Sequence, residues 1–198
     1  SDLMQAFYGR NGECPMPVIA TATPSDCFDV ALEACRIAVQ HMTPVMLLSD
    51  GYIANGAEPW QIPDASTLPK IEIVHPKAAT DGSVFHPYAR DEKLARPWAI
   101  PGTEGLMHRV GGLEKQDLTG NVSYDAENHH RMTLLRAGKI AGIAKSIPDL
   151  EVFGAQEGEL LIVGWGSTYG ALRSAVERLR AEGQSVGHAH LRHLNPFP

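Results

Sequence analysis

Cysteine is scarce in this sequence. Its 198 residues hold three, Cys14, Cys27 and Cys35, and no two are spaced as CxxC. Any disulfide scheme leaves one thiol over, so the expectation is reduced cysteines serving as small core side chains in a cytoplasmic protein. A nucleophilic thiol needs a partnered histidine or a positive neighbourhood, and only Cys14, near Arg10, approaches that condition. Long hydrophobic runs are missing too, none approaching the roughly 20 apolar residues of a membrane span. The opening "SDLMQAFYG" carries no secretory signal. Positive charge is in deficit. Seventeen Lys and Arg against 23 Asp and Glu give a net charge of −6, which excludes a chain-wide nucleic-acid-binding surface. An initiating methionine and a polar tail are both lacking, so the ends read as cuts and the expectation is a piece of a larger protein.

What is present is a globular composition, 43% hydrophobic and 20% charged, suited to one or two small domains. Residues 16–20 are a short apolar run, read as a strand. Thr23-Pro24-Ser25-Asp26 then offers a cap, a first-turn proline and a capping-box carboxylate. The helix that follows is predicted to bury Phe28, Ala31, Leu32, Cys35, Val39 and Met42 and to stop at Thr43-Pro44. "VMLL" at 45–48 predicts a strand buried on both faces and a parallel strand–helix–strand unit. Asp50-Gly51 would then lie at the carboxyl end of that strand, where open α/β sheets place ligands.

From about residue 55 to 121, Pro and Gly dominate and periodicity vanishes. The stretch is too long for a structureless loop inside one domain. It predicts a linker draped over neighbouring surfaces or against another chain, with Trp60, Tyr88 and Trp98 favouring packing over disorder. Regularity returns with Asp125 as the N-cap of a helix reaching about Ser146. "LLIV" at 160–163 predicts a second buried strand. Ser167 would cap the next helix, which turns Ala171, Ala175, Val176 and Leu179 inward and closes at Gly183. A strand at 186–191 completes a second strand–helix–strand unit.

Several stretches could carry chemistry. "IVGWGSTYGA" has the spacing G-x-G-x-x-x-G, Trp165 stands where a phosphate would need room, and no acidic residue ends the next strand. A plain strand–helix turn is therefore preferred over a nucleotide site. "GHAHLRH" puts His188 and His190 on one strand face with His193 beyond. With no carboxylate or cysteine nearby in sequence, a partly exposed strand or an interface is preferred over a metal site. His129 and His130 diverge on a helix and cannot chelate together. "YGRNGE" is the best polar candidate: Gly9 and Gly12 permit a sharp turn that presents Arg10 and Asn11. Arg10 is then either a solvated charge or a fork for a carboxylate or phosphate, and the residues alone leave both readings open.

"YGRNGE", "ATPSDCFDVALEA", "PVMLLSDGYIANGAEPW", "PGTEGLMHRVGGLEKQDLTGNVSYDAENHHRM" with an Arg and a Lys just beyond, "LLIVGWGSTYGA" and "AHLRHLNPFP" together span nearly the whole chain. In these stretches the sequence resembles the alpha subunit of 2-oxoacid:ferredoxin oxidoreductases, within that family nearest to the 2-oxoglutarate branch (2-oxoglutarate synthase). The resemblance implies oxidative decarboxylation of a 2-oxoacid with coenzyme A to an acyl-CoA, with electrons passing to ferredoxin. It implies thiamine diphosphate chemistry, the pyrimidine half on the alpha subunit and the diphosphate, Mg²⁺ and iron–sulfur cluster on a beta subunit. It makes Arg10 the arginine that binds the substrate carboxylate.

The same resemblance divides the chain. Residues 1–66 become the C-terminal part of a pyrimidine-binding domain, 67–120 the linker, and 121–198 an incomplete domain similar to the transketolase C-terminal domain, with parallel sheets. A "YPITP"-like segment and the glutamate that contacts the aminopyrimidine are not in the sequence and are expected upstream. A C-terminal fragment of the subunit is thus expected, inactive alone and holding no cofactor or metal of its own. The competing expectation is a non-catalytic module that docks a partner subunit through the Trp- and Pro-bearing segment.

Overall fold

A computed structural model describes residues 2–198. In chain order its regular elements are α1 (Asp2–Tyr8), β1 (Val18–Ala20), α2 (Asp26–His41), β2 (Met46–Leu48), α3 (Gly51–Asn55), α4 (Ala126–Gly142), β3 (Val152–Gly154), β4 (Leu160–Trp165), α5 (Tyr169–Ala181), β5 (Val186–Leu191) and β6 (His193–Asn195). The strands form two three-stranded sheets, ordered β2-β1-β6 and β3-β5-β4.

Local sequence signals build the first sheet. The Thr23 hydroxyl accepts the Asp26 N–H at 3.3 Å, and the Asp26 carboxylate reaches back to the Ala22 N–H at 2.9 Å, a capping box set one residue early. α2 ends with Met42 in the left-handed conformation (φ +44°). β1 pairs with β2 in parallel, Val18 opposite Met46 and Ala20 opposite Leu48, as the strand–helix–strand pattern predicts. The other edge of β1 is taken by β6 from the far end of the chain, running antiparallel. β2 is therefore a half-buried edge, not a strand buried on both faces, and β1 holds the centre.

The second sheet has β5 at its centre, parallel to β4 from Leu160–Val186 to Trp165–Leu191 and antiparallel to β3. β5 spans the predicted residues. Gly183 closes α5 at φ +88°, with the Gln184 N–H reaching the Leu179 carbonyl at 3.0 Å. Both sheets are mixed where parallel sheets were predicted, because β6 and β3 each enter antiparallel.

The predicted apolar faces are real but several stay uncovered. On α2 the buried residues are Val30, Ile37 and His41, while Phe28, Ala31 and Cys35 are exposed. β4, predicted buried, is an edge with Leu161 and Val163 about half exposed (52% and 55%). On α5 Val176 is buried but Ala171 and Ala175 face outward. Cys14 and Cys35 are exposed and Cys27 is half-buried, so the cysteines are not core residues. α1 lies outside the sequence reading: seven residues are too few to show a period, yet Ala6 packs with Val18, Ala20 and Leu194.

The long segment packs on its neighbours through its aromatic residues. Its regular structure is one 3-10 turn, Ala65–Thr67. The Trp98 indole donates to the Val39 carbonyl at 2.8 Å, Trp60 stacks against Phe28, and Arg96 lies 4.5 Å over the Tyr88 ring. Asp125 caps α4 through the Asn128 N–H at 2.7 Å, and Ile140, Ile143 and Ile147 pack on Ile37 of α2.

β6 is tied to α2 by charge. Arg192 pairs with Asp26, and buried His193 meets the Glu33 carboxylate at 3.3 Å, which Arg36 also forks at 2.6 and 2.7 Å. Partial burial alone would raise the Glu33 pKa, but the bonds from Arg36 and His193 outweigh it and hold it at about 2. A depressed carboxylate pKa stabilises the fold above the unfolded value of 4.5 and loses that contribution as pH falls toward 2. Wild-type protein should lose about 2 kcal/mol across that window through this residue, and Glu33→Gln should flatten the loss in urea denaturation. An unchanged slope in the variant contradicts the assignment.

Candidate functional site

The turn after α1 carries Arg10. Its guanidinium faces back into the helix terminus: Nη1 donates to the Ala6 carbonyl at 2.6 Å, and Nη2 to the carbonyls of Phe7 at 3.3 Å and Cys14 at 2.8 Å. A cation on unsatisfied helix carbonyls is favourable on its own account. The guanidinium therefore does not stand as a free fork in this conformation. Its Nε is buried and has no hydrogen-bond partner among the described residues. Asn11 adopts φ +55°, and Glu13 binds Arg136 of α4, which fixes the turn against that helix.

The carboxyl ends of β2 and β4 meet at Asp50. One oxygen caps α3 by accepting the Tyr52 and Ile53 N–H groups at 3.0 Å, and the other accepts the Ser167 N–H at 3.2 Å. The Ser167 hydroxyl and these backbone donors hold the Asp50 carboxyl below its usual range. Ser167 thus does not cap α5; its N–H, the group a bound phosphate would take, already carries a carboxylate. Gly164 packs so closely on Leu172 that a Cβ there would lie 2.2 Å from it. "GWGSTYG" is a strand–turn–helix joint secured from the other sheet.

The histidines of β5 are inside, not on a partly exposed strand. His188 is 2% exposed, half-buried His190 hydrogen-bonds the Gly166 carbonyl at 3.1 Å, and Tyr169 packs against both rings. Burial lowers both pKa values, and the neighbouring Arg173 (for His188) and His188 (for His190) lower them further. Both shifts favour the neutral ring. Arg10 reaches the Cys14 carbonyl rather than its exposed thiol, and among the described residues no histidine hydrogen-bonds that thiol.

Residues 1–127 match the family described as "Pyruvate flavodoxin/ferredoxin oxidoreductase, thiamine diP-bdg". The chain belongs to that family. Residues 158–198 match core domain II of pyruvate:ferredoxin oxidoreductase. The chain is 56% identical to 2-oxoglutarate oxidoreductase subunit KorA of Mycobacterium tuberculosis, over all of this chain and 30% of that protein. It is 25% identical to 2-oxoglutarate synthase subunit KorA of Methanothermobacter marburgensis, of which it covers 52%. Among solved structures, 2-oxoglutarate:ferredoxin oxidoreductase from Magnetococcus marinus, with 2-oxoglutarate, coenzyme A and succinyl-CoA bound, superimposes with a TM-score of 0.86 at 31% identity, over all of this chain and 34% of that one. The chain therefore spans about a third of the length of the KorA relative and the solved chain. These relatives are subunits of enzymes.

The family description points to thiamine diphosphate. That cofactor needs a carboxylate facing its aminopyrimidine and a metal for its diphosphate. Two carboxylates near the sheets are engaged, Glu33 by Arg36 and His193 and Asp50 by backbone donors. Among the described residues no group of three or more His, Cys, Asp or Glu is placed to hold a metal. No helix among the described residues is long and apolar enough to cross a membrane.

Asp50 was legible as a strand-end residue, but its bond to Ser167 joins positions 117 apart in sequence and left no local signal. Asp50→Ala should accelerate amide hydrogen exchange at Tyr52, Ile53 and Ser167 together while leaving Asn128, capped by Asp125, unchanged. Acceleration at Tyr52 and Ile53 alone would remove the inter-sheet role.

Proposed function

We propose that this chain is part of the alpha subunit of a 2-oxoacid:ferredoxin oxidoreductase whose substrate is 2-oxoglutarate. The observation that carries the reading is 56% identity along the whole chain to a 2-oxoglutarate oxidoreductase subunit. The likeness to an enzyme holding 2-oxoglutarate, coenzyme A and succinyl-CoA supports the same substrate. In the reaction, 2-oxoglutarate and coenzyme A become succinyl-CoA and carbon dioxide, and two electrons pass to ferredoxin. The partner is a beta subunit that carries Mg²⁺, the cofactor's diphosphate and an iron–sulfur cluster, in a cytoplasmic complex.

The proposed division of labour follows the sequence. Residues 1–66 complete a pyrimidine-binding domain, 67–120 link and wrap, and 121–198 belong to a domain similar to the transketolase C-terminal domain. The exposed Val74, Met107 and Val110 (84%, 88% and 87%) favour docking of a partner on the linker. That docking is also what a non-catalytic module would use, so the alternative draws on the same surface.

Arg10 is proposed to bind the substrate carboxylate. To do so its guanidinium exchanges neutral carbonyls of α1 for a charged fork, and charge-assisted bidentate pairs are the stronger of the two. The unpartnered Nε supports this, since it leaves one N–H of the guanidinium unsatisfied until a ligand arrives. In the complete assembly Arg10→Lys should raise the KM for 2-oxoglutarate by about tenfold or more, because a lysine cannot make two parallel bonds. A variant with unchanged KM and a lowered Tm would assign Arg10 to capping α1 only.

A further inference from the structure

A cavity of about 660 Å³ opens between the linker and α4 and is bordered by the Glu13–Arg136 pair. Its wall is cationic. Arg90 is committed to Asp117 at 2.7 Å, and Arg136 is shared between Glu13 and Glu114. Three further cations, Arg96, Lys115 and Lys139, line the same space. Among the described residues no carboxylate lies within ion-pair distance of any of the three.

Each of the three is held by neutral groups. Lys115, only 5% exposed, donates to the Gly111 carbonyl at 2.8 Å and to the Leu113 carbonyl. Lys139 donates to the Met42 carbonyl at 3.1 Å. The Arg96 guanidinium rests on the face of Tyr88. A buried lysine and two half-buried cations on one cavity wall, with no carboxylate paired to them among the described residues, are costly to keep charged, so the wall suits an anion. Burial, then Arg96, Arg90 and Arg136, outweigh the attraction of Asp91 and bring the Lys139 pKa down to about 8.

The donor set selects among anions. The cations come from three separate chain positions, two of them lysines acting as point charges rather than one planar fork. That arrangement suits a tetrahedral, doubly charged group better than a flat carboxylate. We propose that this cavity binds a phosphate-bearing ligand through Arg96, Lys115 and Lys139. The reading stands apart from the carboxylate role of Arg10 and can fail without it.

The test is calorimetric titration of the complete protein with inorganic pyrophosphate at pH 8, with thiamine diphosphate saturating so that the cofactor site does not contribute. Pyrophosphate should bind with net proton uptake, because an anion restores the proton to Lys139. Lys139→Met and Arg96→Gln should each weaken binding by about tenfold or more. Arg109→Gln, an exposed arginine outside the cavity, should leave it unchanged. A nucleoside diphosphate that binds more tightly than pyrophosphate supports the site and assigns the phosphate to a nucleotide. No pyrophosphate binding, binding that both cavity variants leave intact, or succinate binding as tightly as pyrophosphate would each overturn the proposal.

Discussion

The insertion of β6 beside β1 is the constraint on which the rest of the structure depends. It brings residues near 195 against residues near 18, so the two strand–helix–strand units become one interlocked body rather than beads on a linker. The Asn195 side chain reaches the Met16 carbonyl at 2.7 Å, and the Arg192 carbonyl receives the Ala20 N–H at 2.8 Å. Glu33 gathers Arg36 and His193 at the same joint. With β6 in place, Asp50 can meet Ser167 across the sheets, and the turn holding Arg10 is clamped from the opposite side by α4. The candidate positions Arg10 and Asp50 are therefore set by contacts between distant parts of the chain.

Exposure of apolar surface is the second theme. Leu161 and Val163 on β4, Cys35 on α2, and Ala171 and Ala175 on α5 all carry the hydrophobic pattern of buried faces yet remain exposed. An edge strand with apolar residues on it invites pairing with further chain. The chain spans about a third of the length of the Mycobacterium tuberculosis relative and of the solved chain.

This explains how far the sequence could be read. Signals closed within a few residues were legible: Thr23 with Asp26, Asp125 with Asn128, Gly183 at the end of α5, and the whole of β5. Signals that depend on what lies across a face were not. Periodicity on α2 marks an apolar stripe but does not say whether Val30 or Phe28 turns inward. The antiparallel entry of β6 is set by tertiary pairing rather than by its short sequence. At the candidate site Arg10 was found from its glycine-flanked turn, but its retreat onto the α1 carbonyls followed from a helix too short to be read. The cation wall of the cavity, spread from Arg90 to Lys139, has no motif spacing and becomes a cluster only in three dimensions.

The proposal of 2-oxoacid oxidation within a larger assembly rests on the family membership and on the likeness to part of an enzyme holding 2-oxoglutarate. The direct measurement is ferredoxin reduction by the complete assembly with 2-oxoglutarate, with coenzyme A present and withheld, following succinyl-CoA formed per carbon dioxide released. The account predicts turnover that requires coenzyme A and yields the two products in equal amounts. Turnover independent of coenzyme A, or an assembly that reduces no ferredoxin with any 2-oxoacid, would contradict it.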